Sequence, residues 1–277
     1  MTDLSTAELE TAAPAAEPRA VVSLRHVSKI FSNGTLALSD MSLDVQQGEF
    51  LSLLGPSGCG KSTALRIIAG LGAPSSGTIQ WPASRINSRG LPEGDVGFVF
   101  QEPTLMPWQT VFGNVYLPLR LKGVSRSAAR PRIMETLDSV GLADFEKAYP
   151  RELSGGMKMR VSIARALVTG PKLLLMDEPF AALDEITRQK LNDDVLRLWR
   201  KSGITVIFVT HSVFESAFLS NRIVVMKARP GQVYADLPIS TSAARDEDYR
   251  TSEEYRATTH EVSRALQEAI HTGAVSQ

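Results

Sequence analysis

The stretch GPSGCGKST, residues 55–63, follows the apolar run EFLSLL and precedes the helical run ALRIIAG. It fits the spacing G-x4-G-K-[S/T] between a strand and a helix, the arrangement that cradles nucleotide phosphates. Gly55, Gly58 and Gly60, with Pro56, Ser57 and Cys59 between them, let backbone N–H groups turn toward one anion. The following helix adds its positive N-terminal end. Lys61 then reaches the outer phosphates, and the hydroxyl of Ser62, beside Thr63, suits Mg2+. Cys59 is the only cysteine, so no internal disulfide can form, which fits a reducing compartment. It reads as a small loop residue.

A second run, LLLMDE (173–178), is strand-like and ends in two carboxylates. Asp177 is placed to hold the Mg2+ shell through water, and Glu178, one residue further, to polarise an attacking water as general base. His211 follows another strand-like run, ITVIFVT, and Gln101 follows DVGFVF. A strand-end histidine on the same side as Glu178 can touch a γ-phosphate, and Gln101 can touch Mg2+ or the water; a lone histidine and a loop amide also have ordinary structural readings. The stretch ELSGGMKMR poses a different problem. A helix begins there on Ser-Gly-Gly, and each glycine in a helix costs about 1 kcal/mol relative to alanine. Ser154 is a good N-cap, and Gly155 and Gly156 let backbone approach a ligand closely, so this helix start reads as a second anion site. A capped start with a flexible approach explains the same residues.

These residues need elements to carry them. Short apolar runs predict strands over 21–27, 41–45, 49–55, 77–81, 95–100, 172–177, 204–210 and 222–226. Helical spacing predicts helices over 61–70, 126–140, 156–169, 185–202, 213–220 and 251–270. Alternating strands and helices predict an α/β fold with a largely parallel sheet covered on both faces, and the crowded early strands an antiparallel piece at the front. From QEPTLMPWQT (101–110) to about 165 no strand is evident, which suggests a helical subdomain over about 103–165. Residues 1–20, rich in Ala, Glu, Thr and Pro, read as a disordered tail. Residues 241–277 read as a C-terminal helical tail whose charges form a solvated face.

Composition narrows the classes. The chain has 277 residues, 43% hydrophobic and 22% charged, enough for one large domain or two small ones with a real core. Thirty basic residues balance thirty acidic ones, so a basic nucleic-acid footprint is not favoured, with room only for a local patch. No apolar run approaches the roughly 18 residues of a membrane span. The acidic start argues against a secretory signal.

Taken in order, GPSGCGKST, Gln101, LSGGM, LLLMDEP, AALD and His211 resemble the ATP-binding subunit of an ABC transporter, over roughly residues 21–235. The resemblance implies a P-loop NTPase cassette over 21–240, with an N-terminal antiparallel β piece, a RecA-like core and a helical subdomain. It implies an ATPase using ATP and Mg2+, with Lys61, Gln101, Glu178 and His211 at the reacting end. It implies a head-to-tail dimer in which Ser154, Gly155, Gly156 and Asp184 of one copy act on ATP held by the other. It makes Gln101 the Q-loop residue, Ala182-Leu183-Asp184 the D-loop and His211 the switch histidine. The resemblance also implies that Phe31 stacks on adenine; the family usually has tyrosine there, and phenylalanine keeps the ring face and loses only the hydroxyl.

Met157, where the commonest signature has glutamine, is similar to the nitrate/sulfonate/taurine importer subfamily, as are QEPTLMPWQTVFGNV and DEPFAALDEITR. Importers of thiamin-precursor pyrimidines or riboflavin carry similar cassettes. A soluble, non-transport ABC ATPase is the alternative of another class; the single cassette and the lack of sustained heptads between Ser62 and Leu153 argue against it. The implied partners are a second copy, integral-membrane permease subunits and, through them, a periplasmic or lipid-anchored solute-binding protein. The implied location is the cytoplasmic face of the inner membrane. Met106 and Trp108, after Gln101, suit a permease's short helix; the same side chains could serve the local core.

Overall fold

The computed structural model describes residues 20–275 except 89, 91 and 241–243. The tail expected over 1–20 lies outside the described residues but for Ala20, which opens the first strand. Two sheets form. In the first, β2 (Leu36–Gln46), β1 (Ala20–Ile30) and β4 (Ser76–Gln80) pair antiparallel in that order. This is the antiparallel front piece anticipated above.

The second sheet has six strands in the order β5 (Val96–Val99), β6 (Leu173–Asp177), β7 (Thr205–Thr210), β3 (Phe50–Leu54), β8 (Arg222–Lys227) and β9 (Gln232–Pro238). All pairs are parallel except β8 with β9. Every residue of β3, β6 and β7 is buried, as expected of a parallel sheet covered on both faces. On one face Leu51, Leu53, Leu175 and Ile207 share a core with α1 (Lys61–Ile68) and the antiparallel sheet. On the other, Phe50, Met176 and Phe208 join the core of the helical elements.

Those elements are α2 (Val111–Leu121), α3 (Arg126–Ser139) and α4 (Gly155–Leu167). Helix α2 escapes the periodicity reading because it carries Gly113, Asn114 and Pro118, all poor interior helix residues. Packing overrides propensity there. Thr110 caps its start, and the buried Asn114 spends its amide on the preceding loop, accepting from Met106 N–H at 2.8 Å and donating to the carbonyls of Met106, Gln109 and Thr110. Strand β9 also escapes, because its short run follows a turn and its residues are half-buried or exposed. After β6 come α5 (Glu185–Ser202) and α6 (Val213–Leu219).

The last helix, α7 (Glu253–Val275), is not solvated all round. Val262, Ala265 and Ala269 pack under β3 and β8 against Leu54, Ile223 and Val225. Burying Val262 contributes about 1.5–3 kcal/mol and each alanine methyl about 0.8 kcal/mol, so this helix is part of the fold's core. Tyr255 donates its hydroxyl to the Phe214 carbonyl at 3.0 Å, and burial pushes that phenol up to about 12.

Candidate active site

The loop between β3 and α1 begins where the central strand of the six ends. Gly60 sits at φ 91°, and a Cβ there would lie 2.7 Å from the Ala37 carbonyl oxygen, so the loop is pressed against β2 and only glycine fits. Cys59 is fully buried, and burial pushes its thiol up, so it packs rather than reacts. Helix α1 starts without a side-chain cap and with no acidic residue in its first turn, whereas α2 to α6 are capped by Thr110, Ser125, Ser154, Asp184 and Ser212. The first-turn N–H groups of α1 have no carbonyl within the helix. An uncapped positive helix end beside a glycine loop fits an anion.

Lys61 is 3% exposed and turns its ammonium back over the loop, donating to the carbonyls of Gly55 at 2.8 Å and Pro56 at 3.0 Å. Its Nζ lies 3.9 Å from Glu178 Oε1. Ser62 donates its hydroxyl to Asp177 Oδ1 at 2.6 Å. Burial pushes the Asp177 carboxyl up, and the Ser62 hydrogen bond opposes that. A hydroxyl and a carboxylate oxygen already in contact, beside a phosphate loop, form the oxygen donor set Mg2+ takes together with substrate phosphates. Among the described residues no cluster of three His, Cys, Asp or Glu could hold a metal unaided.

Glu178 follows Asp177 at φ 45°, a left-handed conformation that costs a non-glycine residue energy, and its N–H bonds the Val209 carbonyl at 3.0 Å. The strain turns the carboxylate off the strand line toward the loop. His211 Nδ1 lies 3.3 Å from Glu178 Oε2. Three strand ends, β3, β6 and β7, thus bring Lys61, Ser62, Asp177, Glu178 and His211 together.

A cleft of about 560 Å³ opens beside them, lined by Phe31, Leu36, Lys61, Thr63, Glu178, Arg229 and Pro230 among others. Phe31 is 45% exposed, with the Lys29 ammonium 5.7 Å from its ring centre. Arg229 and Pro230 come from the β8–β9 turn and were not expected at the site. The Pro-Gly pair of ARPG marks a turn in the sequence but not its location. Gly231 places it, exchanging backbone hydrogen bonds with Ala37 and Ser39 of β2.

The other expected residues stand elsewhere. Gln101 is exposed just past β5, a neighbour of β6 in the sheet, and is not among the residues lining the cleft. The segment after it is held by Arg165, which donates to the carbonyls of Pro103 and Thr104, both at 2.9 Å. At the start of α4, Ser154 and Gly155 are exposed, and the Ser154 hydroxyl accepts from Met157 N–H at 3.3 Å. Gly156 is buried, and a Cβ on it would lie 2.6 Å from Thr187 Cγ2 of α5. Its glycine therefore has an intrachain reason that the ligand argument did not supply. Asp184 caps α5, accepting from Thr187 N–H at 2.9 Å, and those hydrogen bonds hold its carboxyl below the usual range.

A parallel sheet with a glycine-rich loop between its central strand and an uncapped helix, and two carboxylates at the end of the next strand but one, define a P-loop nucleoside triphosphatase. Comparison with known proteins narrows the class. Residues 38–181 match the ABC transporter family. The chain is 46% identical over 235 residues to an ABC transporter ATP-binding protein of Methanocaldococcus jannaschii, covering 84% of this chain and 86% of that one. It is 44% identical over 220 residues to the aliphatic sulfonates import ATP-binding protein SsuB of Bacillus subtilis, covering 79% and 83%. A dimeric bacterial ABC transporter cassette superposes with TM-score 0.69 at 34% identity, covering 79% of this chain and 99% of that one. A dimeric post-hydrolysis cassette bound to ADP and phosphate gives 0.68 at 34%, with the same coverage. The chain belongs to the ATP-binding subunits of ABC transporters, and its activity is ATP hydrolysis. Among its described residues no helix is long and apolar enough to cross a membrane.

Proposed function

We propose that this chain powers import of an aliphatic sulfonate or a similar small solute, as a pair of cassettes bound to membrane permease subunits. Relatives named for aliphatic sulfonate import, such as those of Bacillus subtilis and Bacillus thuringiensis, support sulfonates over pyrimidines or riboflavin. Solute choice falls to a separate binding protein on the far side of the permease. The location follows from that assembly: the cytoplasmic face of the inner membrane.

One observation carries the catalytic reading: Lys61, the Ser62–Asp177 pair and the Glu178–His211 pair meet at three strand ends beside a cleft walled by Phe31. The adenine stacks on Phe31, and the loop from Gly55 to Thr63 wraps the phosphates. Lys61 moves its ammonium from the Gly55 and Pro56 carbonyls to the outer phosphates. Ser62 and, through water, Asp177 would hold Mg2+, which neutralises phosphate charge when bound, and Gln101 would join them once the segment after β5 moves toward the cleft. Glu178 accepts a proton from the attacking water, and His211 stays within reach of both that carboxylate and the γ-phosphate. Ser154, Gly155, Gly156 and Asp184 of a second copy close the site, their N–H groups facing charge that develops in the transition state.

The permease docks beside α2. Trp108 is 71% exposed, on a loop that Asn114 holds rigid through Met106. An aromatic side chain held out from a braced loop suits a partner's short helix. Trp108→Ala should lose permease co-purification and coupled uptake while ATP binding stays; retention of both would end this assignment.

The test of the whole reading is Glu178→Gln. The expected result is ATP-dependent dimers that no longer hydrolyse, with kcat down more than about 100-fold. Unchanged hydrolysis removes Glu178 from its role.

A further inference from the structure

Behind His211 runs a polar chain that the roles above leave unused. Arg188 lies in the first turns of α5 and donates Nη2 to the Leu183 carbonyl at 3.0 Å, next to Asp184. Its Nη1 lies 3.6 Å from Glu185 Oε2. Its Nε is buried and has no hydrogen-bond partner. The carboxylate it faces, Glu215 Oε1, is 3.7 Å away, outside hydrogen-bond range.

Glu215 is 7% exposed on α6. Its Oε2 accepts a short hydrogen bond from the Thr210 hydroxyl, and its N–H donates to Ser212 Oγ at 3.2 Å. The Thr210 hydroxyl oxygen also accepts from Ser212 N–H at 3.0 Å. Both chain neighbours of His211 are therefore tied to Glu215. Burial pushes the Glu215 carboxyl up, against the pull of Thr210 and Arg188. A fully closed pair would also satisfy the buried Nε, whose missing hydrogen bond costs about 1–3 kcal/mol, although at 3.7 Å the two charges already lie within ion-pair reach. This one stops short by less than an ångström.

We propose that Arg188 and Glu215 form a clamp that sets His211 against the Asp184 loop and tightens when a second copy closes on the nucleotide. Neither residue touches substrate; both are positioning residues. The guanidinium suits the task because its planar fork aims one N–H at the Leu183 carbonyl and another at Glu215, a geometry that a point-charge ammonium on a flexible stem holds less firmly. Closure that moves the Asp184 loop carries Leu183, and the arginine passes the displacement through Glu215 to both sides of His211. The clamp rests on the roles given above to His211 and Asp184.

The test is ATP hydrolysis by the full chain carrying Arg188→Ala, Arg188→Lys or His211→Ala, and the two Arg188 variants each combined with His211→Ala. Arg188→Ala should lower kcat about tenfold while the ATP Kd changes less than about twofold. Arg188→Lys, which keeps charge and bulk should the alanine variant fail to fold, should lose about threefold. In the His211→Ala background either change should cost less than about twofold, because residues acting as a unit are non-additive. If His211→Ala alone leaves kcat intact, the site reading falls and takes the clamp with it. If His211→Ala is impaired but the Arg188 variants cost the same factor in both backgrounds, only the clamp falls. A Kd that rises in step with lost kcat also overturns it.

Discussion

The loop at Gly55–Thr63 and the start of α4 at Ser154 both lead into a helix through glycine, and they are finished to different degrees. The first is assembled within one chain. Its lysine is buried, its serine is already on Asp177, and Phe31 and the β8–β9 turn wall its cleft. The second is capped by its own serine and exposes Ser154 and Gly155. A capped helix end spends part of its donor capacity on itself. An uncapped one keeps it for a ligand. The contrast fits a phosphate loop that holds a nucleotide alone and, on the function proposed above, an α4 start that meets one already held.

The largest effect expected from this difference lies at Gly155. A Cβ there would lie 3.2 Å from Leu183 Cδ2, a flexible side-chain end that can move. Gly155→Leu should therefore leave the folded monomer and its ATP affinity nearly unchanged, yet block the exposed face. Hydrolysis should fall more than about 100-fold, a loss near 3 kcal/mol of transition-state stabilisation. Mixing this variant with Lys61→Ala sharpens the point. Each chain supplies the half the other lacks, so the mixture should regain hydrolysis that neither has alone. If it does not, the phosphate loop and the α4 start do not meet across a dimer.

A smaller effect is expected at Phe31, on the half that binds unaided. Phe31→Ala should weaken ATP binding by about 1–3 kcal/mol, the worth of one base-stacking contact. Titration of the monomer measures it, and kcat at saturating ATP should stay close to the original. A Kd unmoved by the substitution would place the adenine elsewhere in the cleft, against Arg229 or Pro230.

How far the sequence carried each half follows from where the determining contacts lie. The phosphate loop, Asp177 and Glu178 were legible because strand, loop and helix are contiguous there, and local pattern suffices. The turn at Arg229–Gly231 was not, because its place beside Phe31 depends on backbone bonds to Ala37 and Ser39 far back in the chain. Helix α2 was hidden by Gly113, Asn114 and Pro118, whose cost is met by the buried Asn114 network. The cap made by Asp184 was legible as an acid three residues before Thr187, a plainer role than the family motif it also matches.

The smallest effect separates the two glycines of the α4 start from each other. Gly156 is buried, and the Cβ of an alanine would stand 2.6 Å from Thr187 Cγ2, on a β-branched side chain with little freedom to turn. Gly156→Ala should cost about 1–3 kcal/mol of stability by overpacking, seen as a lower melting temperature of the monomer without nucleotide. Thr187→Ser removes the offending methyl and keeps the backbone N–H that Asp184 binds, so the double variant should recover most of the loss. The same pair tests whether Gly156 also faces nucleotide. With melting temperature restored and hydrolysis still absent, the glycine serves both the packing and the partner's substrate. With both restored, its work is confined to holding α4 against α5, and Ser154 and Gly155 alone form the face that the second copy presents.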